Sequence, residues 1–70
     1  MDIQVGFKFK LYYGENNINN RPFNEIRAIV DDLLYVIYSE SNSGKSGYEI
    51  MYIDSFNFKN KDGNIIPITE

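Results

Sequence analysis

The segment NEIRAIVDDLLYVIYSE, residues 24–40, is the most apolar part of the chain and carries Asp31 and Asp32 in its middle. As a single helix, it would present an apolar seam and leave both aspartates in water. That seam would consist of Phe23, Ile26, Val30, Leu33 and Ile37. Residue choice favours strands, because most apolar residues here are β-branched or aromatic. We therefore predict two strands that meet at the aspartates, whose short side chains tolerate turn geometry, and keep the helix as the alternative.

The N-terminal segment DIQVGFKFKLYY, residues 2–13, alternates between two sets of side chains. A period of two over this length predicts a half-buried strand. Its predicted inner face consists of Ile3, Val5, Phe7, Phe9, Leu11 and Tyr13, and its other face of Gln4, Gly6, Lys8, Lys10 and Tyr12. Glycine, several asparagines and a proline then predict a loop over residues 14–22.

The next segments predict a polar loop and a further strand. SNSGKSG, residues 41–47, is built from residues that favour turns. YEIMYID, residues 48–54, places Tyr48, Ile50 and Tyr52 on one face of a strand. Because the other face also carries apolar residues, we predict that this strand is central in its sheet.

The C-terminal segment predicts a last hairpin. Asp62-Gly63 separates FNFKN, residues 56–60, from NIIPI, residues 64–68, and this dipeptide is a strong hairpin signal between apolar runs. Pro67 favours an edge position for the final strand. Five or six short strands indicate an all-β fold, a small partly open barrel that forms one domain over residues 1–70.

Two runs resemble small SH3-like and Tudor-like barrels, including short bacterial and phage proteins: EIRAIVDDLLYVIYSE, residues 25–40, and GYEIMYIDSF, residues 47–56. The shared pattern is a strand, an acidic turn, a strand of alternating Tyr and Val, a loop, and a strand that ends in a short turn before a Phe. The likeness covers residues 23–58. It implies a five- or six-stranded, partly open SH3-like barrel and supports the hairpin at the aspartates, but it assigns no binding residue.

Composition narrows the functional classes. The chain has no cysteine and no histidine, so disulfides and thiolate zinc sites are excluded, and we predict no metal and no cofactor. The N-terminus lacks the basic and apolar regions of a signal peptide, and no apolar run approaches the roughly 20 residues that span a bilayer. The expected location is cytoplasmic, without a membrane.

The sequence contains no complete catalytic or metal-binding motif. Gly44-Lys45-Ser46 lacks the glycine that a phosphate loop needs five positions earlier, where Ser39 stands. A calcium loop around Gly63 would begin at Phe58, which cannot be a ligand. The paired aspartates lie on opposite strand faces or at a turn in water, so they do not form the buried carboxylate pair that acid–base catalysis uses. With the commonest general base and the strongest nucleophile missing, we predict that the protein is not an enzyme.

Tyrosine is the strongest functional signal in the sequence. Six tyrosines are more than so small a core can bury with every hydroxyl satisfied, and tyrosine is enriched at protein interfaces. We predict a binding surface flanked by the loops 14–22 and 39–47. The candidate aromatic residues are Tyr12, Tyr35, Tyr38, Tyr48 and Tyr52. The alternative interpretation is that these tyrosines only fill half-buried strand positions.

Lysines add a second candidate surface. Lys8 and Lys10 share a predicted strand face with Tyr12, and Lys59 and Lys61 precede Asp62-Gly63. Positive charge interleaved with aromatic rings suits single-stranded nucleic acid. An isoelectric point near 4.7 and only seven basic residues favour a solvated strand edge instead.

Together these observations predict a non-catalytic binding protein. Small size, absence of cysteine and a composition rich in Asn, Ile and Tyr, typical of an AT-rich genome, resemble phage or mobile-element inhibitors. Such a protein would block a host protein, as anti-CRISPR and other anti-defence proteins do. The alternative is an SH3-like module that binds nucleic acid or a nucleotide, and a structural phage subunit is a third class. The expected partner is a host protein, with a homodimer also open.

Overall fold

The computed structural model describes residues 3–14 and 18–68, which form one antiparallel sheet and one short helix. The elements in chain order are β1 (Lys8–Leu11), a 3₁₀ turn (Ile18–Asn20), β2 (Phe23–Val30), β3 (Leu34–Glu40), β4 (Ser46–Tyr52), α1 (Ile53–Lys61) and β5 (Ile65–Pro67). The strands lie side by side in the order β4-β3-β2-β1-β5, so β4 and β5 are the edges. The predicted all-β class, with five strands in a partly open arrangement, is confirmed.

The segment 24–40 folds as two strands that meet at the aspartates, as predicted. Asp31 and Asp32 lie in the left-handed region, with φ of 53° and 52°. The Leu33 N–H donates to the Val30 carbonyl oxygen at 2.9 Å across them. Positive φ at both central residues is the pattern of the type I′ turn, whose twist suits a hairpin. The preference of β-branched and aromatic residues for strands therefore outweighs the helical seam.

Because Asp32 lies in the left-handed region, we expect two substitutions at this position to change the free energy of unfolding in opposite directions. Asp32→Gly should raise the free energy of unfolding by about 0.5–1 kcal/mol, because glycine adopts positive φ without steric cost and Asp-Gly is a preferred type I′ pair. Asp32→Ala should lower it by about 1 kcal/mol, because alanine has no side-chain oxygen to offset the strain. Melting curves followed by circular dichroism check both signs. Variants that melt together would show that this turn does not depend on positive φ.

The core lies between one side of the sheet and α1. Its buried apolar residues are Phe9, Ile26, Tyr35, Ile37, Phe56 and Ile65. Phe56, from α1, meets the ring of Phe9 edge-on at 5.3 Å between centroids and that of Tyr35 at 5.1 Å. The helix thus supplies the central ring of an aromatic cluster to which β1 and β3 also contribute.

The predicted strand over residues 56–60 is wrong, because this stretch lies in α1. Phe56 and Phe58 alternate as in a strand, but only Phe56 is buried, while Phe58 is 68% exposed. Charge placement also favours a helix, since Asp54 lies in its first turn and basic residues lie in its last turn, complementing the helix dipole.

Asp62 and Gly63 end this helix and do not turn a hairpin, contrary to the prediction. The Gly63 N–H donates to the Asn60 carbonyl oxygen at 3.1 Å, and the Asn64 N–H donates to the Lys59 carbonyl oxygen at 2.9 Å. Gly63 has φ 80°, which completes a Schellman cap. Both structures need glycine in the left-handed region, so the same dipeptide serves either one.

The first strand is shorter than predicted. Gly6 has φ 95° and the Phe7 N–H donates to the Gln4 carbonyl oxygen at 3.0 Å, so a turn precedes β1. Val5 is therefore 55% exposed and does not join the core. Within the strand the predicted alternation holds, because Phe9 is buried and Leu11 packs against the core. The predicted residue Asp2 lies outside the described residues.

The strand predicted as central is an edge strand. β4 begins at Ser46 and ends at Tyr52, and it pairs only with β3 among the described strands. The predicted sharing of one face by Tyr48, Ile50 and Tyr52 is confirmed by their register with β3. These three apolar side chains are largely in water.

Candidate protein-binding face

The side of β2, β3 and β4 that faces away from the core carries side chains in three cross-strand rows, which we call the outer face. Directly paired residues of antiparallel strands point to the same side, so the register assigns each row. The rows are Glu25–Tyr38–Tyr48, Ala28–Val36–Ile50 and Val30–Leu34–Tyr52. The opposite side of the same strands carries the buried Ile26, Tyr35 and Ile37.

The outer face is apolar and exposed where it reaches β4. Tyr48 is 65% exposed, Ile50 66% and Tyr52 57%. Single exposed apolar residues are ordinary, but contiguous exposed rows of this kind mark interaction surfaces. The outer face is therefore a candidate interaction surface.

A β-bulge brings Arg27 to this face. The β2–β3 register shifts between Ile26 and Ala28, so Arg27 is the extra residue. Its guanidinium lies over the Tyr38 ring at 4.5 Å from the centroid, and its Nε donates to Glu25 Oε1 at 2.6 Å. Bulges commonly redirect a side chain at a functional position. Here the redirected arginine is held by a ring and by a carboxylate.

Tyr38 is the centre of this cluster. Its ring meets that of Tyr48 at 5.5 Å between centroids with 60° between the planes, and its hydroxyl donates to Glu40 Oε2 at 3.1 Å. Arg27 covers Tyr38 from the β2 side. A tyrosine that is packed against its neighbours and hydrogen-bonded loses little further conformational freedom on binding, which is why such residues serve as anchors.

The two loops predicted to flank the surface are connected. Asn42, in the β3–β4 loop, donates through Nδ2 to the Asn19 carbonyl oxygen at 2.8 Å. Tyr38 precedes this loop and Tyr48 follows it, and the two residues are register partners. Residues 15–17 of the first predicted loop lie outside the described residues.

The other predicted binding residues lie elsewhere. Tyr35 is 5% exposed and belongs to the core, so its ring does not contribute to any surface. Tyr12 is half-buried, and its N–H donates to the Asn64 carbonyl oxygen at 2.9 Å, on the side of β5. Lys8 is the register partner of Glu25 and extends the first outer row onto β1. Lys10 donates through Nζ to the Ile18 carbonyl oxygen at 3.3 Å.

Basic side chains gather around Tyr13. Arg21 Cζ lies 5.8 Å and Lys59 Nζ 5.7 Å from the centroid of this ring, which is 43% exposed. Arg21 is held in place because its Nε donates to the Leu11 carbonyl oxygen at 2.8 Å. The basic cluster of Tyr13, Arg21 and Lys59 is a second, smaller candidate surface, and neither Tyr13 nor Arg21 was predicted as a binding residue.

Burial of Tyr35 predicts a pH dependence of stability. Desolvation raises the pKa of its phenol above the ordinary value of 10.0. The folded state then holds the proton more tightly than the unfolded state, so stability is complete below the unfolded pKa and is lost as pH rises through the folded pKa. We expect wild type to lose more stability than Tyr35→Phe above about pH 10. Chemical denaturation at several pH values measures this difference, and equal losses would contradict it.

Several other site types are missing from the part of the chain that the structure describes. Residues 3–14 and 18–68 contain no pocket, no group of three or more metal-ligating side chains and no helix long and apolar enough to cross a membrane. Comparisons with protein families, curated proteins and solved structures found no match to the chain. A functional assignment therefore rests on the chemistry of the surface.

Proposed function

We propose that this chain is a non-catalytic binding protein that recognises a partner protein through the outer face. The observation that carries the proposal is the exposed run Tyr48, Ile50 and Tyr52 beside Tyr38 and the redirected Arg27. Tyrosine and arginine dominate binding energy at interfaces, and they act best when packed beside apolar neighbours. The outer face offers this combination without a pocket, which suits a protein surface and not a small molecule.

The partner that we propose is a host protein, and the chain would act as a small phage or mobile-element inhibitor of the anti-CRISPR or anti-defence type. Support for this comes from the short, cysteine-free sequence and its AT-rich residue usage. An inhibitor that works by covering a host surface needs neither histidine nor cysteine, and the chain contains neither. The SH3-like resemblance of residues 23–58 remains part of the proposal for the fold.

Capture from a bacterial host lysate tests the outer face. Immobilised wild type should retain a host protein that Tyr48→Ala and Ile50→Ala retain far more weakly. Phe58→Ala is the matched control, because Phe58 is equally exposed but lies on α1. All three variants should melt near wild type, because exposed substitutions usually change stability by about 0.5 kcal/mol or less. Equal capture by all four proteins would contradict the proposed face.

The basic cluster favours nucleic acid as a second candidate ligand. Arg21 and Lys59 beside the exposed Tyr13 ring resemble the cation and aromatic combination that holds a single strand. The formal net charge of −3 opposes such binding, so we expect weak affinity that falls steeply with salt. Fluorescence titration of a labelled oligonucleotide at low and physiological salt measures it. Tight binding that survives physiological salt would make nucleic acid the main ligand and displace the protein partner.

A further inference from the structure

The free edge of β4 carries little of the protection that natural edge strands have, since Glu49 is its one charged residue. At the other end of the sheet, β5 has three residues and includes Pro67, which has no N–H to offer. β4 has the sequence SGYEIMY, with neither proline nor lysine, and among the described residues no strand pairs with its free side. A long apolar edge without such features pairs with another strand.

Two hydrogen bonds identify the backbone groups on this edge. The Ser41 N–H donates to the Lys45 carbonyl oxygen at 2.8 Å, and the Ile53 N–H donates to the Leu33 carbonyl oxygen at 2.9 Å. Hydrogen-bonded and non-hydrogen-bonded pairs alternate along an antiparallel ladder, so these two pairs set the phase for β4. In that phase the N–H and C=O groups of the even-numbered residues point away from β3. These residues are Ser46, Tyr48, Ile50 and Tyr52.

We propose that the occupant of this edge is a second copy of the chain, paired antiparallel through β4 about a two-fold axis at Ile50. In this register Ile50 faces itself, and Tyr48 faces Tyr52 of the second copy. Aromatic cross-strand pairs then flank an aliphatic pair on both sides of the axis. Glu49 faces Met51 of the second copy, so no two carboxylates meet.

A two-fold axis at either preceding residue of β4 would form less favourable side-chain pairs than the axis at Ile50. An axis at Glu49 places the two Glu49 side chains in a close pair, and like charges directly opposite each other are destabilising. An axis at Tyr48 pairs Ile50 with Ser46 and leaves Tyr52 beyond the ladder, opposite the β3–β4 loop. The axis at Ile50 alone brings all three exposed apolar residues of β4 together.

The dimer extends the outer face across both copies. Edge pairing uses backbone groups, so the side chains of Tyr48, Ile50 and Tyr52 still point outward after pairing. This self-association rests on β4 alone and does not require the proposed partner. Measuring it on the isolated chain keeps its outcome separate from that of the capture experiment.

Single-cysteine variants test the register, because the chain has no cysteine of its own. Across the axis, the two Ile50 Cα atoms of a hydrogen-bonded pair lie about 5.5 Å apart, within disulfide range. The two Glu49 Cα atoms are diagonal neighbours at roughly 7–8 Å, beyond that range. Under mild oxidation, Ile50→Cys should become mostly covalent dimer, while Glu49→Cys should stay mostly monomeric. Ile66→Cys on β5 is the matched control for random collision.

Sedimentation of the full chain over a dilution series tests the association itself. The mass of wild type should rise from 8.2 kDa toward twice that value as concentration increases. Ile50→Lys should stay at monomer mass and should melt at the temperature of wild type at low, monomeric concentration, because Ile50 is 66% exposed in the single chain. Wild type that remains monomeric throughout would overturn the proposal and leave the edge to a strand of another protein. Crosslinking of Glu49→Cys in preference to Ile50→Cys would overturn the register.

Discussion

Phe56→Ala should lower the free energy of unfolding by about 3–5 kcal/mol, the usual cost of removing a buried aromatic side chain. Phe56 is fully buried and meets the rings of Phe7, Phe9 and Tyr35 at 6.3, 5.3 and 5.1 Å between centroids. Its loss leaves a cavity where the one fully buried side chain of α1 among the described residues enters the core. Because so small a domain has about 5 kcal/mol to lose, we expect little cooperative unfolding to remain.

Phe58→Ala is the control for this prediction, since it removes the same side chain from the same helix. Phe58 is 68% exposed, so its replacement should change stability by about 0.5 kcal/mol or less. Thermal and denaturant unfolding followed by circular dichroism compare the two variants. If Phe56→Ala unfolds cooperatively near the wild-type melting temperature, the aromatic cluster is not what holds the sheet and α1 together.

Arg27→Ala should weaken binding of the captured partner about 30-fold, corresponding to about 2 kcal/mol, the level of an interface hot spot. The bulge turns Arg27 onto the outer face, and Glu25 and the Tyr38 ring hold its guanidinium in one position. A side chain fixed in this way loses little entropy when a partner binds. Stability should change little, since Arg27 is 44% exposed and ion pairs near the surface contribute about 1 kcal/mol or less.

Arg27→Lys sharpens this test. Lysine keeps the charge but loses the planar group that stacks on Tyr38, so it should recover only part of the lost affinity. Calorimetric titration gives both affinities, and melting curves show whether the variants remain folded. Full recovery with lysine would reduce the role of Arg27 to charge alone, and an unchanged affinity in Arg27→Ala would remove it from the site.

The hairpin was predictable because the strand preferences of its apolar residues and the turn preference of its aspartates indicate the same structure. β-branched and aromatic residues favour strands on both sides of the aspartates, and aspartate suits a turn with positive φ. The helix α1 was not predictable on the same grounds. Phe56 and Phe58 alternate as a strand does, and Asp62-Gly63 signals a hairpin as strongly as a helix cap. Burial of Phe56 in the core decides between them, and that is a tertiary effect.

The position of β4 escaped prediction for a related reason. Apolar residues on both faces usually mean that a strand is covered on both sides, but Tyr48, Ile50 and Tyr52 lie exposed on an edge. The alternation of apolar residues is the same whether a residue is buried within its own chain or exposed on a surface that binds another molecule. The mistaken prediction therefore falls on the surface that we propose for binding.

The candidate site was predictable only in part. Tyr38 and Tyr48 flank a loop between adjacent strands, so their pairing follows from the alternation of strand residues. Tyr35 follows the same alternation but points into the core, which the sequence did not reveal. Arg27 carried no signal at all, because a bulge breaks the period that sequence analysis relies on.

Amide chemical-shift mapping with the captured partner tests the central claim most directly. In titrations of the isotopically labelled chain, the largest shifts should fall on Arg27, Tyr38, Tyr48 and Ile50, across the three strands of the outer face. The amides of α1 and β5 should move little, because those elements lie away from that face. Shifts concentrated on the basic cluster around Tyr13, or on α1, with the outer face unchanged, would contradict the proposed binding face.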